Sequence, residues 1–447
     1  MPVVVATPRF RFSDLITFAG YRQGAIAFLQ YGTAVGAVYF VVGPLLAAMV
    51  PDVGWSLGVV SAALLVRGLL SAGMGPLTGW LVSRFGVRPI VLIGGVTTAV
   101  CTALTGLVRN PVEFMIVFGI ALTVADSFMG YTPAATLVQK WFLGRRAVVM
   151  GFVNSGAGFG GLIFAPLMGL LVRELGWRHA MFALAVIIAL LAVPALWLRD
   201  DPRAAGQWVD GVTGREIPAD GETDAIGTVQ QPVRRILRSP VFWMLFVVFG
   251  IEAWSLGTYA AYQVLYLRSV GVGERVSSGA LGIAAGVAAC SGILLSRFND
   301  RISPYYVLIA STTAMTTGSV IFAAARSSPP LYVYSILFGA GYGMLVPTVA
   351  VALGRYYGAR NFPRAFGAGQ LVAGTMGGLG PYLTGRIVDA THSYEIPVHL
   401  VTGLLAGSVV LAVAARPPRH ALRPVREVDP AALPAAAARP LPEPAGD

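Results

Sequence analysis

Charge is scarce in this chain. Acidic and basic residues make up 12% of its 447 residues, about half of the roughly 25% typical of soluble proteins. Lysine is almost missing: Lys140 is the only one, so the net charge of +11 rests on arginine. The two cysteines, Cys101 and Cys290, fall inside apolar runs and read as packing residues, which excludes a disulfide framework. His179, His392, His399 and His420 lie at or near loops or in the tail, without metal-ligand spacing, so no metal is expected. There is no phosphate loop, nucleophile elbow or metal motif, and therefore no cofactor and no ATP-driven step is expected.

What is abundant is apolar sequence, at 56% of residues. It comes in many separate runs of about 20 residues or more without period-two alternation, which predicts membrane-spanning helices. Twelve spans are expected, near 23–49, 57–82, 89–108, 113–138, 147–171, 180–198, 241–267, 276–296, 305–325, 331–354, 365–388 and 397–415. The basic residues crowd into the N-terminal segment, the even-numbered loops and the tail. The opposite loops carry only Arg109, Arg173, Arg178, Arg268, Arg275 and Arg326 of 32. That asymmetry predicts cytoplasmic termini in an inner or plasma membrane, with lipid and not nucleic acid as the surrounding partner. The first residues lack the charged and apolar regions of a removable signal peptide.

A polar connector at 199–240 divides the spans into bundles at 23–198 and 241–415. They are flanked by a segment at 1–22 and an Ala- and Pro-biased tail at 416–447 that reads as disordered. The halves echo each other. The stretches beginning at Phe118 and Phe338 each carry FG, a mid-span proline (Pro133, Pro347), an aromatic pair and then arginine before a Gly-rich helix. Such duplication is typical of transporters that bind substrate between repeats. Gly156-x-x-x-Gly160 and Gly374-x-x-x-Gly378 are small-residue faces suited to close contact between halves that rock, or to ordinary packing.

At these residues the chain resembles the major facilitator superfamily. The loop "GPLTGWLVSRFGVRP" (75–89) is similar to that superfamily's Gly-x-Leu…Asp-Arg-x-Gly-Arg signature through Arg84, Gly86 and Arg88, with Ser83 where many members have Asp. Its second-half counterpart, "SRFNDRISP", keeps Asp300 and Arg301. Such a loop pairs a tight glycine turn with arginines that reach helix C-termini and carboxylates, so the conformation-locking acid is expected only in the second copy. Within the superfamily the chain resembles the monocarboxylate transporter and oxalate–formate antiporter group, through "GWSLGVVSAALLVRGLL" from Gly54, the stretch from Trp141 to Arg178, "DPRAAGQWVDG…RRILRSPVFW" across the connector, and "GRIVDATHSY" from Gly385.

The resemblance implies an all-α polytopic membrane protein with twelve transmembrane helices in two pseudo-symmetric six-helix bundles. It also implies secondary transport of a small organic anion such as a monocarboxylate, often proton-coupled or by exchange, with a monomer sufficient. The group's substrate cations are absent here. The first span, "QYGTAVGAVYF", has no lysine; the eighth, "LGIAAGVAACSGILLS", has no charge; the eleventh, "GAGQLVAGTMGGLG", offers Gln370 in place of a lysine.

Three ionisable groups fall near mid-span: Arg67, Asp126 and Glu252. Each costs about 2.5–3.5 kcal/mol at a helix centre on insertion scales, so each should face a cavity or a partner. Glu252, Ser255, Tyr259, Tyr262 and Tyr266 share one face of the seventh span by their alternating three- and four-residue spacing, which predicts a polar stripe lining a cavity. Two readings follow. In one, a carboxylate, preferably Glu252, couples a proton while Arg67 pairs with the substrate or an acid. In the other, the solute is neutral or cationic and Asp126 or Glu252 binds it. An intramembrane enzyme would need paired catalytic groups at one depth, and none stands out.

Overall fold

The structure, a computed structural model, describes residues 18–142, 146–202, 205–209, 233–296, 302–357 and 362–417. Asp300 and Arg301, and most of the connector and tail, lie outside the described residues. Those described are almost all helical: α1 (Ala19–Gly36), α2 (Val42–Val53), α3 (Leu57–Phe85), α4 (Val87–Thr105), α5 (Pro111–Trp141), α6 (Arg146–Ala192), α7 (Pro240–Ser269), α8 (Glu274–Ser296), α9 (Pro304–Ala324), α10 (Ser328–Tyr357), α11 (Phe362–Thr391) and α12 (Glu395–Ala414). Among the described residues, nine helical segments are long and apolar enough to cross a membrane.

Helix starts follow local chemistry. Pro240 and Pro304 open α7 and α9, where a missing N–H costs nothing. Asn110 caps α5: its Oδ1 accepts from the Glu113 amide at 2.9 Å, and the Glu113 carboxylate reaches back to the Arg109 amide at 2.7 Å. That reciprocal arrangement satisfies donors that a helix start leaves free.

Prolines also explain where expected spans are interrupted. The first span is two helices, because Pro44 cannot donate to the Phe40 carbonyl and its ring crowds it; the chain breaks at 37–41. Pro133 has the same relation to Met129, and α5 breaks at 128–130 after a π-helical stretch, Met115–Ala121. The expected fifth and sixth spans are the two arms of α6. They bend at Gly176, whose φ of 74° and ψ of 159° suit a residue without Cβ.

The two halves meet differently at their two ends. At the end where the connector leaves, each half has its own core. Phe18, Val87, Trp141 and Leu198 cluster in the first half, and Phe242, Leu353, Tyr357 and Ala365 in the second. At the far end one core spans both, joining Leu45, Val60 and Trp177 to Ala261, Val264 and Val388. The halves thus share a core at the far end, while the connector-end clusters each stay within one half.

Glycines mark the closed seam. Gly68 abuts Gly378, Gly158 abuts Ala285, and Gly43 abuts the Ala260 carbonyl, so a Cβ at any of them would collide. The two readings of the small-residue faces divide between the helices, with contact between halves on one and ordinary packing on the other. Gly374 and Gly378 do face the other half, at Ala72 and Gly68 of α3. Gly156 and Gly160 instead pack against Phe28, Gly32 and Gly36 of α1, inside their own half.

Candidate functional site

Arg67 on α3 and Asp126 on α5 form an ion pair within the first half, Nη2 to Oδ2, with side chains 12% and 11% exposed. The π-helical stretch precedes Asp126 and re-phases the helix ahead of it. The guanidinium also sits 5.6 Å from the centre of the Phe118 ring, a cation–π contact. Its Nη1 is buried and has no hydrogen-bond partner among the described residues. The pair therefore fills one edge of the guanidinium and leaves a donor free.

Glu252 is different. It lies on α7 in the second half with no exposed surface, and neither carboxylate oxygen has a hydrogen-bond partner among the described residues. Tyr342 of α10 is within electrostatic reach of Glu252 and also of Tyr31 on α1 and of Tyr39. Tyr39, at the break between α1 and α2, is in turn within reach of Arg67. All three tyrosines are half-buried.

The expected polar stripe on α7 is real as a helix face: Tyr259, Tyr262 and Tyr266 border a small cavity with Gln263, Phe322 and Thr384, all second-half residues, and much of the face is also tied down by packing and hydrogen bonds. Tyr259 is packed among Phe322, Tyr334 and Phe338, and its hydroxyl meets Ser319 of α9, which is bonded onward to Thr402 of α12 at 2.7 Å. Tyr266 donates to the Ala323 carbonyl at 3.0 Å, and the Ser255 hydroxyl returns to the Ile251 carbonyl at 2.8 Å. Tyr259 and Tyr266 hold α7 to α9, with Ser319 carrying the link on to α12. The physical reason is burial: α7 is the most buried of the candidate spans, so its polar face turns into the second bundle. Tyr262 alone reaches the seam, where its hydroxyl faces Ser61 of α3 and the Gly385 backbone. Gln370 is half-buried on the connector-end part of α11.

The loop after α3 holds an acid that its own signature lacks. Gly86 has φ of 90°, so only glycine is comfortable there, and a Cβ would collide with Asp200. Asp200 Oδ1 accepts from the amides of Val87 at 2.8 Å and Arg88 at 3.0 Å, capping α4. Asp200, at the start of the connector, is thus an acid beside this loop that the signature does not mark, and its contacts stay within the first half. Arg84 lies over the Trp80 and Phe85 rings at 5.6 Å from each centre.

Sequence reading missed Tyr31, Tyr39 and Tyr342. Tyr31 and Tyr39 sit in the very first-span stretch that has no lysine, on either side of the end of α1. Tyr342 lies in the "FGAGYGM" stretch of the second-half repeat.

Comparison with known proteins fits this geometry. A family model described as the Major Facilitator Superfamily matches residues 31–381 and 291–442. Monocarboxylate transporter 3 of Rattus norvegicus is 27% identical over 347 residues, covering 76% of this chain and 67% of that protein. The "Probable sulfoacetate transporter SauU" of Cupriavidus necator is 26% identical over 366 residues, covering 76% of this chain and 81% of that protein. Among solved structures, a bacterial homologue of the human lysosomal transporter Spinster, inward-facing and unoccupied, superposes with a TM-score of 0.67 at 16% identity, covering 89% and 96% of the two chains. The nucleoside transporter NupG superposes with 0.64 at 15% identity, covering 89% and 98%.

Proposed function

Because the chain belongs to the major facilitator superfamily, we propose that it moves a small organic anion, a monocarboxylate or a close relative, by alternating access, with Glu252 carrying a coupling proton. That it is a small-solute transporter and not an enzyme follows from the family and from its relatives. The anion, the proton and the alternation are our reading. The relatives named for monocarboxylates and sulfoacetate support the solute class.

One observation carries the proton: Glu252 is wholly buried with neither oxygen partnered. An ionised carboxylate in that position is very costly, and the neutral acid is the cheaper form. With Glu252 neutral and Asp126 offset by Arg67, the site has no net charge. The unfilled Nη1 of Arg67 is then the donor available to a carboxylate. A core shared at the far end and separate cores at the connector end support a state that opens on the connector side only. The basic loops support assigning that side to the cytoplasm of a cell-membrane protein.

The test is uptake of labelled monocarboxylates into proteoliposomes with and without an inward proton gradient. The gradient should accelerate uptake by the parent and not by Glu252→Gln, which should still exchange. A Glu252→Gln protein driven as strongly as the parent defeats the proposal. A second reading keeps a specific support, since the mid-span groups are two acids, Asp126 and Glu252, against one arginine, Arg67. A screen in which amines or neutral solutes move and carboxylates do not selects it.

A further inference from the structure

At the closed end, two backbone features of the first half are left without partners by their own helices. The first is the start of α3. Its cap, Ser56, accepts only from the Val59 amide, at 3.3 Å, which leaves the Leu57 and Gly58 amides open. Asp389, on α11 of the other half, takes both: Oδ1 accepts from Leu57 at 2.9 Å and Oδ2 from Gly58 at 2.6 Å. The approach requires glycine at 58, because a Cβ there would lie 2.7 Å from Asp389 Oδ2 and 2.8 Å from Arg386 Cδ. The second feature is the Ala47 carbonyl on α2. Pro51 stands four residues later and has no N–H to give it. Arg268 on α7, again from the other half, donates Nη1 to that carbonyl at 3.2 Å.

We propose that Asp389 and Arg268 form a two-point latch that selects the conformation closed at the far end. An acid meets the positive start of one helix, and a cation meets a carbonyl that its helix cannot use, so each contact has matching polarity. Both cross the seam, so neither survives separation of the far end. Both also lie at the ends of helices, where water can replace them, so the latch biases the equilibrium without locking it. It rests on the alternating-access part of the proposed function and not on any solute or proton.

The test needs no substrate. In a Cys101→Ser, Cys290→Ser background in lipid nanodiscs, a reporter cysteine replaces Val264, which is fully buried in the shared core. Its maleimide labelling rate should rise about fivefold in Asp389→Asn and about as much in Arg268→Gln, with the effects multiplying in the double variant. Gly58→Ala should reproduce Asp389→Asn. A second reporter at Val138, buried within the first half's own core, should stay protected throughout. Unchanged labelling at Val264 in variants that remain monodisperse overturns the latch. Equal acceleration at Val138 also overturns it, by showing general loosening instead of opening at one end.

Discussion

The two halves share an architecture but treat a buried carboxylate in opposite ways. In the first, Asp126 sits against Arg67; in the second, Glu252 has no partner among the described residues. A paired charge is held in one state by its neighbour, whereas an unpaired carboxyl is not, and that difference underlies the role proposed for Glu252. Arg67→Met should break that contrast most severely. It strands Asp126 and should cost about 3 kcal/mol of stability, read as a drop in thermal midpoint of the purified protein. Adding Asp126→Asn should restore most of that loss, since no charge then remains unpaired.

Glu252→Gln should leave the thermal midpoint close to the parent, because the amide is neutral and nearly the same size. Its effect should appear only as loss of gradient-driven uptake. Tyr259→Phe sharpens the comparison from the side of the core. It removes the hydroxyl that meets Ser319 and should cost about 1 kcal/mol while uptake persists. A transport defect at equal stability would instead return Tyr259 to the solute path. The smallest effect expected is from Asp200→Asn, about 0.5–1 kcal/mol, because the amide oxygen can still accept from Val87 and Arg88. Its thermal midpoint should fall by less than that of Tyr259→Phe.

Much of the fold was legible because a bilayer punishes exceptions. Apolar runs of about 20 residues mark helices through local chemistry alone. The three ionisable groups also stood out, but their pairing did not. Nothing in the sequence says that Arg67 meets Asp126 and not Glu252. The α7 stripe shows the limit of periodicity, which identifies a face but not what covers it. Tyr259 and Tyr266 have the same spacing whether they meet water or Phe322. Asp389 and Arg268 passed unnoticed for another reason. Their partners are backbone groups, which have no letter in the sequence.

The shared far-end core has a consequence for how the protein can be made. Every residue of that core lies either at or before Ile188 or at or after Ala261. Two polypeptides divided between Val209 and Val233 would therefore contain the whole interface between them. Continuity of the chain then favours assembly through effective concentration. Co-expressed fragments cut there are expected to find each other in the membrane, and the far-end surfaces are where they would recognise their match.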